Sequence, residues 1–344
     1  MYDAIIAGAS FAGLATAMQL RGYRVLLIDQ YPVGAHQMSA CGTPLATARA
    51  VGAESATLEA HHALVLHSGG RETRFALRDP YVTFDYAAFC RAMLAQTDAE
   101  VWIDRVTAVH DGGVTTTRGT AEARFVVDAT GWRALKGRQP ASSMREVGYG
   151  VETELPAGID INPGLHFYWE KRIVRNGYAW VFPCGASVRF GVCSFDKGVR
   201  LGPELARFVD RWGLQMGETH GGVLAIRRRD ALRGDVFVVG DAAGRCLPLT
   251  GEGIRTAIVD GMACGRAIAA ALRGEVPAAE ARARYTGQVR RSERFHRYLL
   301  KLQTAVAYSP DALIALTGRL LSGPALFDPI MRTYLVHSGM AAGS

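Results

Sequence analysis

The chain has 344 residues, of which 49% are hydrophobic and 21% charged, so it can bury a large core and has the charge content of an ordinary globular protein. Its net charge of +7 lies in short arginine clusters without a recognition module or alternating aromatic and basic residues, which disfavours nucleic acid as a partner. The six cysteines show no CxxC or other metal-ligand spacing, so the sequence predicts free thiols and no metal site.

The N-terminal segment predicts a βαβ unit. A strand over residues 3–7 is followed by the turn Gly8-Ala9-Ser10-Phe11-Ala12-Gly13, an alanine-rich helix and a second strand over residues 25–28. Asp29 then stands where an acidic side chain binds the adenosine ribose of a dinucleotide, whose pyrophosphate lies on the helix N-terminus. Ser10 replaces the usual middle glycine, but serine is small enough to allow close backbone approach. Asp29 without a nearby arginine pair favours an unphosphorylated ribose, as in FAD or NAD.

The uncharged stretch from Ala4 to Leu20 does not predict an export signal or a membrane span. Asp3 stands where a signal peptide carries basic residues, and glycines interrupt the apolar run. We therefore expect a cytoplasmic protein with reduced thiols.

A helix and several strands are predicted next, within the first half of the chain. Residues 85–95 predict a helix with Phe89 and Met93 on one face. Residues 101–123 predict a hairpin, and residues 124–131 predict a strand that returns to the first sheet.

Residues 145–232 predict an inserted β-rich region. Two aromatic runs in it, over residues 165–169 and 178–182, suit the wall of an apolar pocket. Glu152 is expected on a solvated strand face, because glutamate is rarely buried without a partner. An acid that faces the pocket is the alternative for this residue.

A second glycine-rich segment supports a flavin site. Residues 235–239 predict a buried strand that ends at Gly240-Asp241, where a carboxylate can accept hydrogen bonds from sugar hydroxyls. After a turn at Pro248, Gly251 and Gly253 let backbone amides approach a planar or anionic group at the start of the next helix. Together with the βαβ unit, this segment predicts a flavoprotein that binds FAD.

After Ile254 the pattern is helical to the end of the chain. The segments 298–302 and 313–321 are apolar enough to lie on a bilayer beside the arginines of residues 290–297. Packing over the substrate region is the favoured role, and peripheral contact with the inner face of a membrane is the alternative.

We predict an α/β protein with a Rossmann-like FAD-binding domain in two pieces, an inserted β-rich substrate domain and a helical C-terminal region. These units span residues 1–144 with 233–275, residues 145–232 and residues 276–344.

Motifs along most of the chain resemble the geranylgeranyl reductase group of FAD-dependent oxidoreductases, which is related to the p-hydroxybenzoate hydroxylase flavoprotein fold. The matching pieces, in the order of the family, are Gly8-Ala9-Ser10-Phe11-Ala12-Gly13, Ser39-Ala40-Cys41-Gly42, Phe84-Asp85-Tyr86 through Phe89 and Arg91, Asp128-Ala129-Thr130-Gly131, Gly177-Tyr178-Ala179-Trp180-Val181-Phe182-Pro183, and Gly240 to Ile254.

This resemblance implies roles for individual residues. Arg91 would contact an FAD phosphate, Asp241 the ribityl chain, and Gly251 to Ile254 the edge of the flavin ring, with Cys41 above the ring. The whole implied FAD-binding set is Gly8, Ser10, Phe11, Ala12, Gly13, Asp29, Cys41, Arg91, Val106, Gly131, Gly240, Asp241, Pro248, Gly251, Gly253 and Ile254. The substrate wall would comprise Tyr168, Trp169, Tyr178, Trp180 and Phe182. Cys41 and His36 are the candidate acids, and Tyr178 and Trp180 are the candidate catalytic aromatics.

The implied reaction is the reduction of carbon-carbon double bonds in a hydrophobic, isoprenoid substrate such as a geranylgeranyl lipid or a polyprenyl quinone. Hydride would come from reduced flavin, and aromatic ring faces would stabilise developing positive charge. Because no second dinucleotide motif follows the first, electrons must come from NAD(P)H, free reduced flavin, ferredoxin or another external donor.

Four other functions remain open from the sequence. A flavin-dependent hydroxylase of an aromatic substrate is the main alternative, although Ala129-Thr130-Gly131 follows Asp128 where that group usually has Asp-Gly. A flavin-dependent halogenase is less favoured, because the first third of the chain has no lysine to carry the halogen. A lycopene-type cyclase and a flavin-binding sensor without turnover complete the alternatives.

Overall fold

A computed structural model describes residues 1–132 and 147–338. Within these residues the chain forms two eight-stranded sheets and nine α-helices. The helices are α1 (Phe11–Met18), α2 (Leu45–Ala50), α3 (Tyr86–Leu94), α4 (Leu201–Asp210), α5 (Ile254–Leu272), α6 (Ala278–Arg291), α7 (Glu293–Tyr308), α8 (Asp311–Leu321) and α9 (Pro324–His337).

The first sheet has the order β15-β16-β9-β1-β2-β6, with the hairpin β7–β8 joined to it through β9. Its strands are β1 (Tyr2–Ala7), β2 (Val25–Asp29), β6 (Glu100–Ile103), β7 (Val106–His110), β8 (Gly113–Thr116), β9 (Gly119–Asp128), β15 (Leu232–Arg233) and β16 (Val236–Val238). β1 lies between β2 and β9 in parallel register, with Ile5 opposite both Leu26 and Val126. These apolar strands are buried because helices cover the sheet, and the predicted α/β fold is confirmed.

Small residues hold α1 and α5 together over this sheet. A Cβ atom at Gly261 would lie 2.2 Å from the carbonyl oxygen of Ala12, so only glycine allows the two helix backbones to come this close. Thr16 donates from Oγ1 to the Gly261 carbonyl oxygen at 3.1 Å. The contact fixes the N-terminus of α1 relative to that of α5, and both helix starts line the same cavity.

The second sheet has the order β14-β10-β13-β12-β11-β4-β5-β3. Its strands are β3 (Gly42–Pro44), β4 (Thr57–Ser68), β5 (Arg71–Phe84), β10 (Gly148–Pro156), β11 (Leu165–Tyr168), β12 (Gly177–Cys184), β13 (Ser187–Ser194) and β14 (Thr219–Leu224). The sequence does not predict the long hairpin β4–β5, which extends this sheet with residues from the first third of the chain. β11 pairs with β4 in parallel, Leu165 opposite Leu64, and the sequence carries no local sign of that distant pairing.

Side chains of β12 alternate between two environments. Ala179 and Val181 pack in the core beneath α4, whereas Tyr178, Trp180 and Phe182 point to the opposite face of the sheet. The face that carries Tyr178, Trp180 and Phe182 borders a large cavity.

The C-terminal helices lie over β4 and β5. Gly318 of α8 abuts Leu66, and Phe327 of α9 packs on Phe75 with ring centroids 4.8 Å apart. In the part of the chain that the structure describes, no helix combines the length and the hydropathy needed to cross a bilayer. These helices instead form one wall of the cavity.

Candidate active site

One cavity of about 1410 Å³ runs between the two sheets and the C-terminal helices. The turn after β1 and the end of β2 line one part of it, and the aromatic face of β12 lines another. Side chains of α7, α8 and α9 line the remainder, which is largely apolar. Motifs that are far apart in the sequence therefore border a single space.

The turn between β1 and α1 is shaped for close approach by a ligand. Gly8 has φ +109°, and a Cβ atom on it would lie 2.2 Å from the carbonyl oxygen of Ala129. Ser10 precedes α1 without capping its first amides by its side chain, so these amides remain available to an anionic group. Asp29 accepts from the backbone N–H groups of Ala9 at 2.8 Å and Tyr31 at 3.1 Å, which holds its carboxylate at the cavity.

Asp241 carries an unpartnered carboxylate at the cavity. It follows β16 in a 3₁₀ turn, where Gly240 has φ +61° and donates its N–H to Asp260 at 2.8 Å. No described residue donates a hydrogen bond to the Asp241 side chain, and burial raises the pKa of this carboxyl to about 6. Such a group is stabilised by hydroxyl donors from a ligand. The arrangement fits the sugar hydroxyls of FAD.

The loop before α5 brings backbone groups to the cavity. Leu249 and Gly251 both have positive φ, +68° and +65°, and the loop is closed by the N–H of Gly251 donating to Leu247 at 3.1 Å. Gly253 precedes α5 and offers no side-chain cap, so the first amides of the helix stay free for a ligand edge.

This loop is held in place by the C-terminal helices. Leu249 donates its N–H to Gln303 of α7 at 2.8 Å. Glu252 accepts two hydrogen bonds from the buried guanidinium of Arg255, at 2.6 and 2.7 Å, and a third from the hydroxyl of Tyr334 on α9. Residues 247–253 and α9 are thus one connected unit.

An aromatic wall lines the cavity, and the polar atoms of Tyr178 and Trp180 in it are hydrogen-bonded within the protein. Tyr178 donates its hydroxyl to the carbonyl oxygen of Thr250 at 2.7 Å, and burial raises the pKa of this phenol well above its usual range. Trp169 stacks on Tyr178 with centroids 4.9 Å apart, and Phe182 continues the wall beside Trp180. These aromatic rings carry no charge and give this side of the cavity a π surface.

Gly191 of β13 makes the space that the Trp180 indole occupies. A Cβ atom on Gly191 would lie 2.0 Å from this ring, whereas one on Gly150 of β10 would lie at an ordinary contact distance of 3.6 Å. The indole therefore packs closely against the backbone of β13.

Glu152 is buried, contrary to the expectation of a solvated strand face. Its side chain is 3% exposed, and its Oε2 accepts from Trp180 Nε1 at 2.6 Å. His220 Nε2 lies 3.0 Å from Glu152 Oε1, across the pairing of β10 with β14. All three residues line the cavity. The favoured expectation of a solvated face was therefore wrong, and the alternative of an acid that faces the pocket fits the structure. The sequence does not reveal the contacts with Trp180 and His220, because they depend on the position of β10 between β13 and β14.

The two candidate acids differ in environment. Cys41 has φ +52°, is fully buried at the cavity and donates from Sγ to the carbonyl oxygen of Ser39 at 3.2 Å. Burial raises the pKa of this thiol well above its usual range, so the thiol is neutral. His36 borders the cavity at an exposed position beside the ring of Tyr31.

Most other residues of the implied sets border the cavity directly. They are Phe11, Ala12, Gly131 and Ile254. Gly13, Gly240 and Pro248 are outside the lining, although Gly13 packs against Gly8 and Gly240 against Ala12, which both line it.

Three residues of the implied sets lie away from the cavity lining. Arg91 is exposed in the last turn of α3, and Val106 packs on the face of the first sheet opposite α1. Tyr168 faces α4 and packs on Phe208, because the alternation of β11 places it opposite Phe167 and Trp169.

A carboxylate at the end of β2, an open helix N-terminus and the unpartnered carboxylate of Asp241 border one cavity, as expected of an FAD-binding protein of the α/β class. Residues 220–290 match the family model of the FAD binding domain, which agrees with this reading of the site.

Archaeal reductases are similar in sequence. The chain is 33% identical over 183 residues to digeranylgeranylglycerophospholipid reductase of Methanocella arvoryzae, covering 50% of this chain and 47% of that protein. It is 28% identical over 310 residues to the reductase of the same name from Methanosphaerula palustris, covering 76% and 74%. The chain spans only 32% of one further relative of this name and 50% of another.

Two solved structures share the fold. A geranylgeranyl bacteriochlorophyll reductase-like protein from Thermoplasma acidophilum has a TM-score of 0.82 at 18% identity, covering 98% of this chain and 99% of that one. A p-nitrophenol 4-monooxygenase from Pseudomonas putida has a TM-score of 0.77 at 15% identity, covering 99% of each chain. The chain is thus similar in sequence to reductases of this name over part of their length, and it shares the fold of a geranylgeranyl bacteriochlorophyll reductase-like protein.

Proposed function

We propose that the protein reduces carbon-carbon double bonds of a hydrophobic, isoprenoid substrate such as a geranylgeranyl lipid or a polyprenyl quinone. The observation that carries this proposal is the continuity of the cavity from the dinucleotide turn, past the aromatic wall, to the apolar side chains of α7–α9. Its volume of about 1410 Å³ exceeds the roughly 300–1,000 Å³ typical of a pocket for one small ligand. The additional volume can hold a long apolar molecule beside a dinucleotide.

The residues of the chain supply binding, orientation and exclusion of water. Reduced FAD, when bound, supplies the hydride. Tyr178, Trp180 and Phe182 offer ring faces to the positive charge that develops on the more substituted alkene carbon. Because their polar atoms bond elsewhere, they offer little to an aromatic substrate that needs hydrogen bonds to its own hydroxyl group.

The test is an anaerobic single turnover. Purified flavoprotein is reduced with dithionite and mixed with a geranylgeranyl lipid or menaquinone, and flavin reoxidation is followed together with product mass. We expect reoxidation and a gain of two hydrogens for each reacted double bond. Repeating the reduction with NADPH, free reduced flavin or ferredoxin then identifies the electron donor.

The same assay can contradict the proposal. If the flavin stays reduced with every prenyl lipid and reoxidises only when oxygen is admitted, with an oxygenated aromatic product, the protein is a monooxygenase.

We also propose that the cavity receives its substrate at an anionic bilayer surface. Leu313 of α8 and Ile330 of α9 line the cavity and are nevertheless 49% and 45% exposed, so the cavity reaches the surface between these helices. Leu316 and Leu320 continue the exposed apolar face, and exposed arginines lie on the same two helices. Apolar side chains with nearby cations suit the interface of an anionic membrane.

The double variant Leu316→Glu/Leu320→Glu should lower binding to phosphatidylglycerol vesicles by more than about tenfold, since burial of each Leu contributes about 1.5–3 kcal/mol. Neither residue lines the cavity, so turnover of a detergent-dispersed substrate should be unchanged. The control is Leu58→Glu/Ile103→Glu, which alters charge equally at exposed apolar positions of β4 and β6. Equal vesicle binding by the two variants would refute this docking surface.

A further inference from the structure

Glu152 is the buried carboxyl group of the aromatic wall. One of its oxygens accepts the indole N–H of Trp180 at 2.6 Å, and the other contacts His220 at 3.0 Å. A carboxylate is costly to bury, and a backbone carbonyl would satisfy an indole N–H at lower cost, as Thr250 does for Tyr178. Holding Trp180 in place therefore does not account for the choice of an acid here.

His220 connects this buried carboxyl to solvent. Its side chain is 29% exposed, and its Nε2 also lies 3.2 Å from Nε2 of Gln37. The proton of the Glu152–His220 contact can reside on either partner, so a proton can pass between the medium and the cavity wall. Glu152 itself lines the cavity, beside Trp180.

The other charged and titratable groups around Glu152 do not interrupt this path. Arg189 of β13 lies nearby and pairs with Glu154 at 2.9 Å, while Cys41 and Cys184 are buried neutral thiols whose pKa burial raises. A thiol with a raised pKa is a weak acid and a poor proton donor to an alkene. Glu152 is the carboxyl group that lines the cavity on this part of the wall.

We propose that Glu152 delivers the proton in double-bond reduction and is reprotonated from solvent through His220, an inference that rests on the proposed function. The O–H bond of Glu152 breaks as a C–H bond forms at one alkene carbon, and the other carbon receives the hydride that reduced FAD supplies. The flavin is left oxidised, and the Glu152 carboxylate then takes a proton from His220, which takes one from water.

The variant Glu152→Gln tests whether Glu152 supplies the proton, because it keeps the shape of the side chain but removes the acid. Glutamine retains an oxygen that can accept the Trp180 N–H, but it cannot donate a proton to carbon. We expect flavin reoxidation by the prenyl substrate to fall at least about 100-fold, in line with the usual contribution of a general acid. Reoxidation by ferricyanide, which needs no proton at carbon, and the spectral change on substrate binding should be unchanged.

A matched control lies elsewhere in the chain. Glu100 of β6 also accepts an indole N–H, from Trp102 at 2.8 Å, but it is exposed and outside the cavity. Glu100→Gln should leave turnover unchanged. His220→Ala should slow turnover to a smaller extent, and added imidazole should restore it, which a purely structural role would not allow.

Infrared spectroscopy of the reduced holoenzyme gives a readout that needs no turnover. We expect a protonated-carboxyl band that shifts in deuterium oxide and is missing from Glu152→Gln. Absence of this band, or equal reoxidation rates for wild type and Glu152→Gln, overturns the inference while the reductase activity stands. If wild-type protein reduces no prenyl lipid, the proposed function itself fails and the inference with it.

Discussion

Asp241→Ala is expected to weaken FAD binding roughly 10- to 100-fold near neutral pH. The Asp241 carboxylate lines the cavity and has no hydrogen-bond donor among the described residues, so the hydroxyl groups of FAD are its expected partners. Hydrogen bonds to a charged group contribute about 1.5–3 kcal/mol, and about 1.4 kcal/mol corresponds to a factor of ten in affinity. The measurement is a titration of FAD-free protein with FAD, followed by flavin fluorescence.

The affinity of the wild type should also depend on pH. Burial raises the pKa of Asp241 from 3.8 to about 6, so the FAD-free protein is stabilised at low pH and loses this contribution as pH rises through about 6. Hydroxyl donors favour the carboxylate, so FAD binding is strongest above about pH 6 and weakens by up to about tenfold per unit below it. The variant Asp241→Asn should remove this dependence of FAD affinity on pH.

Asp210→Ala is the control for Asp241, because Asp210 is an exposed acid at the end of α4, away from the cavity. Equal FAD affinities for Asp241→Ala and Asp210→Ala would show that Asp241 does not contact the cofactor.

Glu252→Gln is expected to lower the free energy of unfolding by about 3–5 kcal/mol, the usual cost of leaving a buried charge without its partner. Arg255 is fully buried and bonds to both carboxylate oxygens of Glu252. The same substitution weakens the contact with Tyr334, so α9 and the loop before α5 should both become more mobile. Chemical denaturation measures the first effect, and amide hydrogen exchange measures the second.

The double variant Glu252→Gln/Arg255→Met should recover most of that loss, because it removes the charge together with its partner. The exposed pair of Glu280 and Arg284 on α6 provides the comparison, and Glu280→Gln should cost less than about 0.5 kcal/mol. If Glu252→Gln is no more destabilising than Glu280→Gln, the buried pair does not hold the loop.

The first sheet and the FAD turn could be predicted from the sequence because short-range sterics determine them. Gly8 and Gly240 adopt backbone conformations that other residues rarely adopt, Asp29 ends β2, and Asp241 lies three residues after β16. The FAD cofactor predicted from these positions is confirmed by the match to the FAD binding domain. Local pattern and tertiary structure agree at this end of the cavity.

The rest of the cavity depends on distant pairings that leave no local pattern. The hairpin β4–β5 joins the second sheet through β11. The paired residues Leu64 and Leu165 are about a hundred residues apart in the chain. Burial of Glu152 depends on β10 lying between β13 and β14. The position of Tyr168 is a different case, because strict alternation along Leu165–Tyr168 already separates it from Phe167.

The close contact between Gly191 and Trp180 constrains the order in which these two residues can change during evolution. Gly191 cannot gain a side chain while the indole lies 2.0 Å from the position of its Cβ atom, so a smaller residue must first replace Trp180. Once Gly191 carries a side chain, return of the indole at residue 180 is blocked. The two positions are therefore epistatic, and a library that varies them one at a time would miss the allowed combinations.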